Sequence, residues 1–344
     1  MLQSVQEPEP RSAEPPATFR ETCLVACRFM LLARVLDDKF AALYRAGKIH
    51  GGVFLGRGQE ALSVSIGLSL KKGDVFAPLI RDAAGRLAFG EPVIDAVRTY
   101  LGSALGPMRG RDGNVHRGRP LEGYLPMVSH LGAMISVVNG MLLARKLKNI
   151  SGTVGATCIG DGATSTGAFH EALNQAAIEK LPLVLVIANN QYAYSTPTSY
   201  QFACHDLADK AAGYGVTPHS VDGTDLAACQ ETVVAAVARA REGGGPQLIV
   251  ASLLRLCGHG EHDDAGYVDP KLKASPAGRD CMKVAEEFLI RQKWMDAAQL
   301  AALRNKLVRE VEEAVAQVQR EPTPDPFAEN WCAVSTERLN EGHE

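Results

Sequence analysis

The hydrophobic pattern is clearest in the middle of the chain, where two short apolar runs flank an amphipathic stretch. The runs at 153–159 and 183–188 predict buried strands, and residues 168–180 place apolar side chains at helical spacing. A strand, a helix and a second strand of these lengths form a right-handed βαβ unit with parallel strands. The pattern therefore predicts an α/β fold with a parallel sheet flanked by helices.

The same periodicities extend the prediction to both ends of the chain. Residues 102–126 are rich in glycine and arginine and predict an ordered loop. We expect one domain at 19–320, an acidic, proline-rich disordered tail at 1–18, and a C-terminal tail at 321–344 that either contacts a partner subunit or lies on its own domain. Further helices are expected at 19–46, 58–70, 133–147, 206–215, 226–242, 279–292 and 296–320, and further strands at 75–78, 216–221 and 248–252.

Two polar side chains follow the strands of the βαβ unit. Asp161 comes directly after the first apolar run, and Asn190 follows the second. Because open parallel sheets bind ligands beyond the carboxyl ends of their strands, we expect these residues to be neighbours in space. A carboxylate, an amide oxygen and a nearby backbone carbonyl are hard oxygen donors that suit Mg²⁺. Each motif alone is more typical of a turn or a helix cap, so the inference depends on their combination.

Glycines surround Asp161 and indicate a second ligand. Gly160 and Gly162 allow the backbone to approach a phosphate closely, and the N–H groups of Gly162 and Ala163 are suited to bind its oxygens. The sequence therefore predicts a diphosphate bridged by a metal ion at this edge of the sheet.

These residues also carry a family resemblance. The GDG at 160–162 followed by NN at 189–190 resembles the thiamine diphosphate signature. The stretches GDGATSTGAFHEALNQAA and LPLVLVIANNQYAYSTPT are similar to the alpha subunit of the decarboxylating component of 2-oxo acid dehydrogenase complexes, a family with pyruvate, branched-chain and acetoin enzymes. The resemblance extends from about Tyr44 to Asp264. It implies a three-layer thiamine diphosphate-binding fold.

The resemblance also implies roles at the cofactor site. The metal ligands would be Asp161, Asn190 and the backbone carbonyl of Tyr192, with Gly162 and Ala163 at the diphosphate. Further positions follow from neighbouring motifs. Arg81 aligns with an arginine that binds the diphosphate, and Ile80 replaces the tyrosine expected before it. The side chain of Leu131 or Ile135 would wedge the cofactor in its bent conformation. Glu60 lies in a family motif, or it is simply a first-turn acid of its helix.

Two histidines lie in segments that resemble active-site loops of the family. The segment GRDGNVH ends at His116 and implies a catalytic or substrate-positioning role for it. The segment RLCGHGEHDD contains Arg255, which is expected at the cofactor, and His259, which is expected to transfer a proton and orient the lipoyl acceptor. The density of histidines and carboxylates there is also typical of a metal site.

The implied activity is oxidative decarboxylation of a small-molecule 2-oxo acid, most commonly pyruvate, with transfer of the acyl group to lipoyl on an acyltransferase component. The implied cofactors are thiamine diphosphate and Mg²⁺. Because the chain is too short for both thiamine domains, a beta subunit is expected, in an α2β2 assembly that buries residues 132–140 and 167–177. Three alternatives remain: an acetoin dehydrogenase alpha subunit, half of a split transketolase, and a non-catalytic nucleotide-binding or structural subunit.

Composition narrows the partners further. The 344 residues carry a net charge of −3, which gives no reason to expect nucleic acid or an anionic membrane as a partner. No apolar run is long enough to cross a bilayer, and the N-terminus has no signal-peptide core. The eight cysteines are scattered and are expected to be buried free thiols in a reducing compartment. A cytoplasmic protein is predicted.

Overall fold

A five-stranded parallel sheet forms the centre of the computed structural model, which describes residues 18–325 and 327. The seven strands in chain order are β1 (Val75–Ala77), β2 (Gly155–Gly160), β3 (Leu183–Asn189), β4 (Tyr192–Ala193), β5 (Thr196–Pro197), β6 (Thr217–Asp222) and β7 (Gln247–Ser252). The main sheet has the order β1-β2-β3-β7-β6, with every neighbouring pair parallel, while β4 and β5 form a separate antiparallel hairpin.

Ten α-helices are present in the described residues, together with short 3-10 helices. The α-helices are α1 (Phe19–Arg45), α2 (Glu60–Ser69), α3 (Ala83–Phe89), α4 (Val93–Tyr100), α5 (Ala133–Leu147), α6 (Gly167–Ile178), α7 (Leu226–Arg241), α8 (Pro270–Lys273), α9 (Cys281–Arg291) and α10 (Ala297–Val318). The 3-10 helices are Pro120–Glu122, Asp161–Ser165, Thr198–Tyr200, Leu207–Tyr214 and Pro276–Gly278.

The predicted α/β class and parallel sheet are confirmed, and the predicted strands and long helices end within about two residues of the observed ones. One element differs in type, because residues 206–215 form the 3-10 helix Leu207–Tyr214 rather than an α-helix. The sequence pattern did not predict α3 and α4 at all. Helix α3 is short and mostly buried, so it lacks the alternation of apolar and polar faces that marks a surface helix, whereas α4 has such faces but spans only eight residues.

The helices form layers on both faces of the sheet. On one face, α5 and α6 bury Ile135, Phe169 and Leu173 against the strands. On the other face, α2 and α7 bury Leu62 and Val233. Helices α1, α3, α4, α9 and α10 form a further apolar cluster outside α2. Because both faces are covered, the central strands are apolar throughout.

The two ends of the predicted domain are defined by polar contacts. Thr18 is the N-cap of α1 and forms a capping box with Glu21, so it belongs to the helix rather than to the predicted tail. Beyond α10, Glu321 accepts hydrogen bonds from Arg98 at 2.7 Å and from Ser103, which fixes the first residue of the C-terminal segment on its own domain. The rest of the predicted tails, 1–17, 326 and 328–344, lies outside the described residues.

Glu60 joins several elements in the buried layer. It begins α2 and is only 2 % exposed, and it accepts hydrogen bonds from Arg34 at 2.6 Å and from the Gly58 N–H at 2.8 Å. Arg34 also contacts Asp280 at the start of α9 through two hydrogen bonds. Glu60 is therefore a buried ion-pair partner that connects α1, α2 and α9, in addition to being a first-turn acid.

Candidate functional site

The ends of β2 and β3 bring the two predicted metal ligands together. The parallel register places Gly160 opposite Ala188, so the segments that begin at Asp161 and at Asn189 leave the sheet side by side. The backbone N–H of Asn190 is close enough to the Asp161 carboxylate to lower its pKa. The predicted proximity of Asp161 and Asn190 is a feature of the structure.

Asp161 is a buried carboxylate that forms no ion pair with the described residues. It is 1 % exposed, and its Oδ2 accepts a hydrogen bond of 2.8 Å from Nε2 of Gln201. Burial raises its pKa, and the hydrogen bonds from Gln201 and the Asn190 backbone oppose that rise. No ion pair among the described residues includes Asp161. A buried carboxylate in this state favours a bound cation.

Asn190 and Tyr192 are positioned by a tight turn after β3. The Asn190 Oδ1 accepts a hydrogen bond of 3.2 Å from the Tyr192 N–H, and both residues are less than a tenth exposed. The Tyr192 hydroxyl accepts a hydrogen bond of 3.1 Å from the Asp269 N–H, which attaches the side chain to the start of α8. The hairpin of β4 and β5 thus holds the Tyr192 backbone beside the ends of β2 and β3.

The absence of a side chain at Gly162 allows the chain to pack closely at this position, in addition to allowing a phosphate to approach the backbone. A Cβ at this position would lie 2.6 Å from the Cβ of Ala193, so the 3-10 helix Asp161–Ser165 contacts the hairpin directly at a residue without a side chain. A Cβ at Gly160 would meet no atom within 4 Å. In a 3-10 helix the N–H groups of the first two residues have no internal acceptor, which here includes that of Gly162, whereas Ala163 is the third residue and has the Gly160 carbonyl as its acceptor within the helix.

Arg81 is a buried cation whose guanidinium contacts only backbone carbonyls. It is 4 % exposed and donates to the carbonyls of Leu55 at 2.8 Å and His259 at 2.5 Å. Burial lowers its pKa to about 10, and the positive charge of Arg255 contributes to the decrease. No carboxylate of the described chain pairs with it. Arg81 is therefore available to an anion.

Arg255 is the second buried cation of the site. Its Nη2 donates to the Tyr194 carbonyl at 3.0 Å and to the Tyr267 hydroxyl at 2.6 Å. That hydroxyl donates in turn to Asp263 Oδ2 at 2.6 Å, and Asp263 also accepts from the His259 N–H. Although burial acts in the opposite direction, these hydrogen bonds lower the pKa of Asp263 to about 2. The network connects Arg255 to the loop that carries His259.

His259 lies between two aromatic rings. The ring centroid of Tyr194 is 4.4 Å away and that of Phe54 is 5.4 Å away, both in edge-on geometry. Burial, together with the positive charges of Arg81 and Arg255, lowers the pKa of His259 to about 4. Its Nδ1 is buried and has no hydrogen-bond partner in the described chain. This shift favours the uncharged imidazole at neutral pH.

His116 forms a pair with a carboxylate on its own loop. Its Nδ1 lies 2.7 Å from Asp112 Oδ2, and its Nε2 lies 3.2 Å from Ser129 Oγ. The loop is fixed from inside by Arg117, which binds the buried Glu91 through Nη2 at 2.9 Å. A histidine oriented by a carboxylate in this way has one preferred tautomer, which suits proton transfer.

One short segment contacts both histidine loops. In residues 51–55, the carbonyl of Val53 accepts a hydrogen bond of 2.9 Å from the Glu261 N–H, and Leu55 accepts from Arg81. Gly51 lies against the carbonyl of Gly113, which is 3.2 Å from the position of a Cβ at Gly51. The structure thus connects the His259 loop and the His116 loop through residues 51–55.

The structure distinguishes between the two candidates for the cofactor wedge, Leu131 and Ile135, and shows the surroundings of Ile80. Ile135 is fully buried in the core of the sheet, whereas Leu131 is 51 % exposed, so only Leu131 has a side chain that a cofactor can contact. Ile80 packs against the apolar cluster outside α2 and supplies no hydroxyl group. Leu131 as a wedge remains a prediction.

The carboxylate of Asp161 lies near the guanidinium groups of Arg81 and Arg255. Arg255 is close enough to Asp161 to lower its pKa, and Arg81 contacts the backbone of His259. The site therefore combines one buried carboxylate with two buried guanidinium groups, and none of the three forms an ion pair within the described part of the chain. A divalent cation bound to a diphosphate matches this arrangement, because each charge of the ligand meets the opposite charge of the protein.

The other predicted metal site is not supported. No group of three or more His, Cys, Asp or Glu residues in the described ranges is arranged to hold a metal ion, so the HGEHDD segment is not a metal cluster. Seven cysteines are described and all are free thiols, with Cys204 and Cys257 only partly buried and the others buried. Cys332 lies outside the described residues.

Several residues of the site were not predicted. Asp112 lies four positions before His116, a spacing that is visible in the sequence. Gln201 contacts Asp161 from 40 positions further along the chain, and Tyr267 contacts Arg255 from 12 positions further along. A glutamine or a tyrosine in the sequence does not indicate such contacts. Only the folded chain identifies them.

Comparison with known proteins identifies the class. The family described as Dehydrogenase E1 component matches residues 27–327. The alpha subunit of acetoin:2,6-dichlorophenolindophenol oxidoreductase from Cupriavidus necator is 33 % identical over 308 residues, which cover 89 % of this chain and 92 % of that protein. The chloroplastic pyruvate dehydrogenase E1 component subunit alpha-3 from Oryza sativa subsp. japonica is 31 % identical, over 92 % of this chain and 76 % of the relative.

A third relative represents the branched-chain type. The 2-oxoisovalerate dehydrogenase subunit alpha from Bacillus subtilis is 35 % identical over 69 % of this chain and 72 % of that protein. The chain belongs to the dehydrogenase E1 component family, as a member of the alpha-subunit type. It is an oxidoreductase subunit of the 2-oxo acid dehydrogenase kind, in a thiamine diphosphate-dependent family, and a beta subunit is its implied partner. None of the helices in the described ranges is both long and apolar enough for a membrane span.

Proposed function

We propose that this chain is the diphosphate-binding half of a heteromeric enzyme that oxidatively decarboxylates a 2-oxo acid and passes the acyl group to a lipoyl group. The observation that carries the proposal is the proximity of the buried carboxylate of Asp161 to the buried guanidinium groups of Arg81 and Arg255, none of which forms an ion pair among the described residues. Neither a structural subunit nor a simple scaffold requires uncompensated charges at this depth.

Mg²⁺ would be held by three oxygen donors from the chain. These are the carboxylate of Asp161, the side-chain oxygen of Asn190 and the backbone carbonyl of Tyr192, all at the ends of adjacent strands or in the turn that follows. This set is poor in charge, so the phosphate oxygens of the ligand complete the coordination. The proposal requires that Asn190 Oδ1 exchange its hydrogen bond with the Tyr192 N–H for the metal, or share it.

The diphosphate would be bound by buried cations and backbone donors. Arg81 and Arg255 supply charge, and the N–H groups of Gly162 and Ala163 begin the 3-10 helix that faces the same edge of the sheet. Leu131 would contact the body of the cofactor with its exposed side chain. When bound, thiamine diphosphate supplies the carbanion chemistry that the side chains of the chain cannot provide.

The two histidines would handle protons. His259 would transfer a proton in the reaction and help to orient the acceptor. Burial and the positive charges of Arg81 and Arg255 disfavour its protonation, and a bound diphosphate would offset those charges. His116 is oriented by Asp112 and would position the substrate or exchange a proton with it. Its loop and that of His259 are joined through residues 51–55, which keeps their separation fixed.

The partner surface would lie on α5 and α6. Gly140 and Gly167 are exposed, and Val137 and Ile178 expose 46 % and 72 % of their surface, so none of the described residues covers this apolar face. Gly132 is buried within the chain and is not available for that contact. We infer an α2β2 assembly in which this face meets other subunits, and a cytoplasmic location in keeping with the free thiols.

The substrate class includes one specific alternative. Pyruvate is the first candidate, and acetoin is the second because alpha subunits of two acetoin oxidoreductases are 33 % and 32 % identical to this chain. A split transketolase and a non-catalytic subunit are disfavoured by the family match over residues 27–327.

The test is an assay of the assembled enzyme. The chain is co-expressed with a beta subunit encoded beside it, and reduction of an artificial electron acceptor is followed with pyruvate, branched-chain 2-oxo acids or acetoin, with thiamine diphosphate and Mg²⁺. Activity that requires both subunits and is lost in Asp161→Ala supports the proposal and identifies the substrate. A correctly assembled pair that turns over none of these compounds contradicts it.

A further inference from the structure

Gln201 contacts both of the chain segments that would hold the metal. Its Nε2 donates to Asp161 Oδ2 at 2.8 Å and to the carbonyl of Thr196 at 2.9 Å. Thr196 pairs with Ala193 in the hairpin that also contains Tyr192. One amide group therefore joins the carboxylate ligand at the end of β2 to the hairpin that carries the carbonyl ligand.

The backbone of Gln201 makes a second attachment to the same region. Its carbonyl accepts a hydrogen bond of 2.6 Å from Ser165 Oγ, at the last residue of the 3-10 helix that starts at Asp161. Its own N–H donates to the Thr198 carbonyl at 2.9 Å, which keeps residue 201 at the end of the short 3-10 helix Thr198–Tyr200. The side chain is thus held in place by contacts that do not involve Asp161.

The remaining polar atom of the Gln201 side chain has no partner. Its Oε1 is buried and accepts no hydrogen bond in the described chain. It lies near Gly162, at 3.6 Å from the position of a Cβ on that residue. Because buried acceptors are normally satisfied, an unpaired Oε1 at this position indicates a polar ligand beside the Asp161 segment.

We propose that Gln201 is a positioning residue that orients the Asp161 carboxylate for Mg²⁺. By holding Oδ2, the amide of Gln201 restricts the rotation of the carboxylate, and Oδ1 receives no hydrogen bond from a side chain of the described residues. Hydrogen bonds to the ligand carboxylates of a metal site commonly contribute 10- to 100-fold in metal affinity, because they prevent the ligand from rotating. The inference rests on the proposed function, since it presupposes that Asp161 binds the metal.

Two other roles for Gln201 predict different effects of its removal on metal affinity. If its amide occupied the position of the metal ion and had to leave on binding, its removal would strengthen metal binding. If it were only a structural clamp for the hairpin, its removal would lower the thermal stability and leave the metal affinity of the folded protein unchanged.

The experiment measures metal binding directly in the assembled enzyme of this chain and its beta subunit. Mn²⁺ affinity is determined by electron paramagnetic resonance at saturating thiamine diphosphate, and Mg²⁺ affinity by competition. We expect Gln201→Leu, which keeps the size but removes the donor, to weaken Mn²⁺ binding by roughly 10- to 100-fold.

The matched control is Gln292→Leu, an exposed glutamine at the end of α9 that is far from the site in the fold. It should leave Mn²⁺ affinity within twofold of wild type. Thermal melting without metal shows whether each variant is folded. An affinity of Gln201→Leu equal to or tighter than that of wild type overturns the inference. A wild-type assembly that binds neither Mn²⁺ nor thiamine diphosphate would instead contradict the proposed function.

Discussion

Asp161 and Asn190 lie 29 positions apart in the sequence, yet the backbone N–H of Asn190 acts on the Asp161 carboxylate strongly enough to oppose the effect of burial on its pKa. The reason is the register of β2 and β3, in which Gly160 is opposite Ala188. Two adjacent parallel strands that end together deliver the residues that follow them to the same point. The backbone hydrogen bonds of the sheet therefore bring the two residues together, while Gln201 contacts the Asp161 carboxylate and the Tyr192 N–H contacts the Asn190 side-chain oxygen.

Replacing Arg81 should weaken cofactor binding. Its guanidinium is buried, and only carbonyl groups of the described chain contact it, so an anion gains charge-assisted hydrogen bonds there. Such hydrogen bonds are worth about 1.5–3 kcal/mol, and Arg81→Met should lower the affinity for thiamine diphosphate roughly 10- to 150-fold. Titration of the assembled enzyme at saturating Mg²⁺ measures this. Arg320→Met, at an exposed arginine that also donates to a carbonyl, is the control, and equal losses in both variants would contradict the expectation.

Stability should depend on pH through His259. Its pKa is about 4 in the folded chain and 6.5 for an ordinary histidine, so the unfolded chain binds more protons between these values. The folded state therefore loses stability as the pH falls from 6.5 toward 4. In His259→Gln, this loss should be absent. Urea unfolding from pH 7.5 to 4.5 tests it, because the stability of the variant relative to wild type should increase as the pH decreases. A difference that is constant with pH would be evidence against a buried neutral imidazole.

The Asp112–His116 pair should affect turnover more than cofactor binding. Asp112→Asn removes the carboxylate that orients the imidazole at 2.7 Å, and the loop keeps its buried Arg117–Glu91 pair. We expect kcat to fall by about 10-fold or more, within the range typical of a general acid or base, while the dissociation constant for thiamine diphosphate stays unchanged. Asp38→Asn, at a carboxylate 53 % exposed, should change neither quantity. An unchanged kcat in Asp112→Asn would remove His116 from the catalytic residues.

The ion pair of Arg34 and Glu60 should be important for stability. Arg34→Met leaves Glu60, which is 2 % exposed, without its cation, and breaking a buried pair in this way costs about 3–5 kcal/mol. Lys146→Met removes the exposed pair with Glu179 and should cost about 0–1 kcal/mol. Denaturant unfolding of both variants measures the difference. Similar costs for the two would show that the Glu60 network does not carry the connection of α1, α2 and α9.

The sequence alone was sufficient for the elements that have a clear period. Two apolar runs predicted strands β2 and β3. The apolar stripe of Phe169, Leu173 and their neighbours, at helical spacing, predicted helix α6 between them. The edge of the sheet at Asp161 and Asn190 followed from the rule that parallel strands end at the same side. Short buried helices such as α3 have no polar face, so no period identifies them.

The site was predictable only where a ligand follows a strand directly. The resemblance suggested Arg81 and His259, but their partners depend on chain segments that meet only in the fold. The carbonyls of Leu55 and His259 accept hydrogen bonds from Arg81, and the hydroxyl of Tyr267 accepts one from Arg255. Backbone carbonyls carry no signature in sequence, and a single tyrosine or glutamine has many structural roles. For the same reason, the contact of Gln201 with Asp161 was not foreseeable.

The most direct test of the proposed cofactor site is thiamine diphosphate binding to the assembled alpha and beta subunits, measured by equilibrium dialysis with and without Mg²⁺. Wild type should bind the cofactor only with Mg²⁺, and Asp161→Ala should lose most of that binding while remaining folded and assembled. If the wild-type assembly binds no thiamine diphosphate, or if Asp161→Ala binds it as tightly and with the same dependence on Mg²⁺, Asp161 is not the metal ligand and the proposed site is wrong.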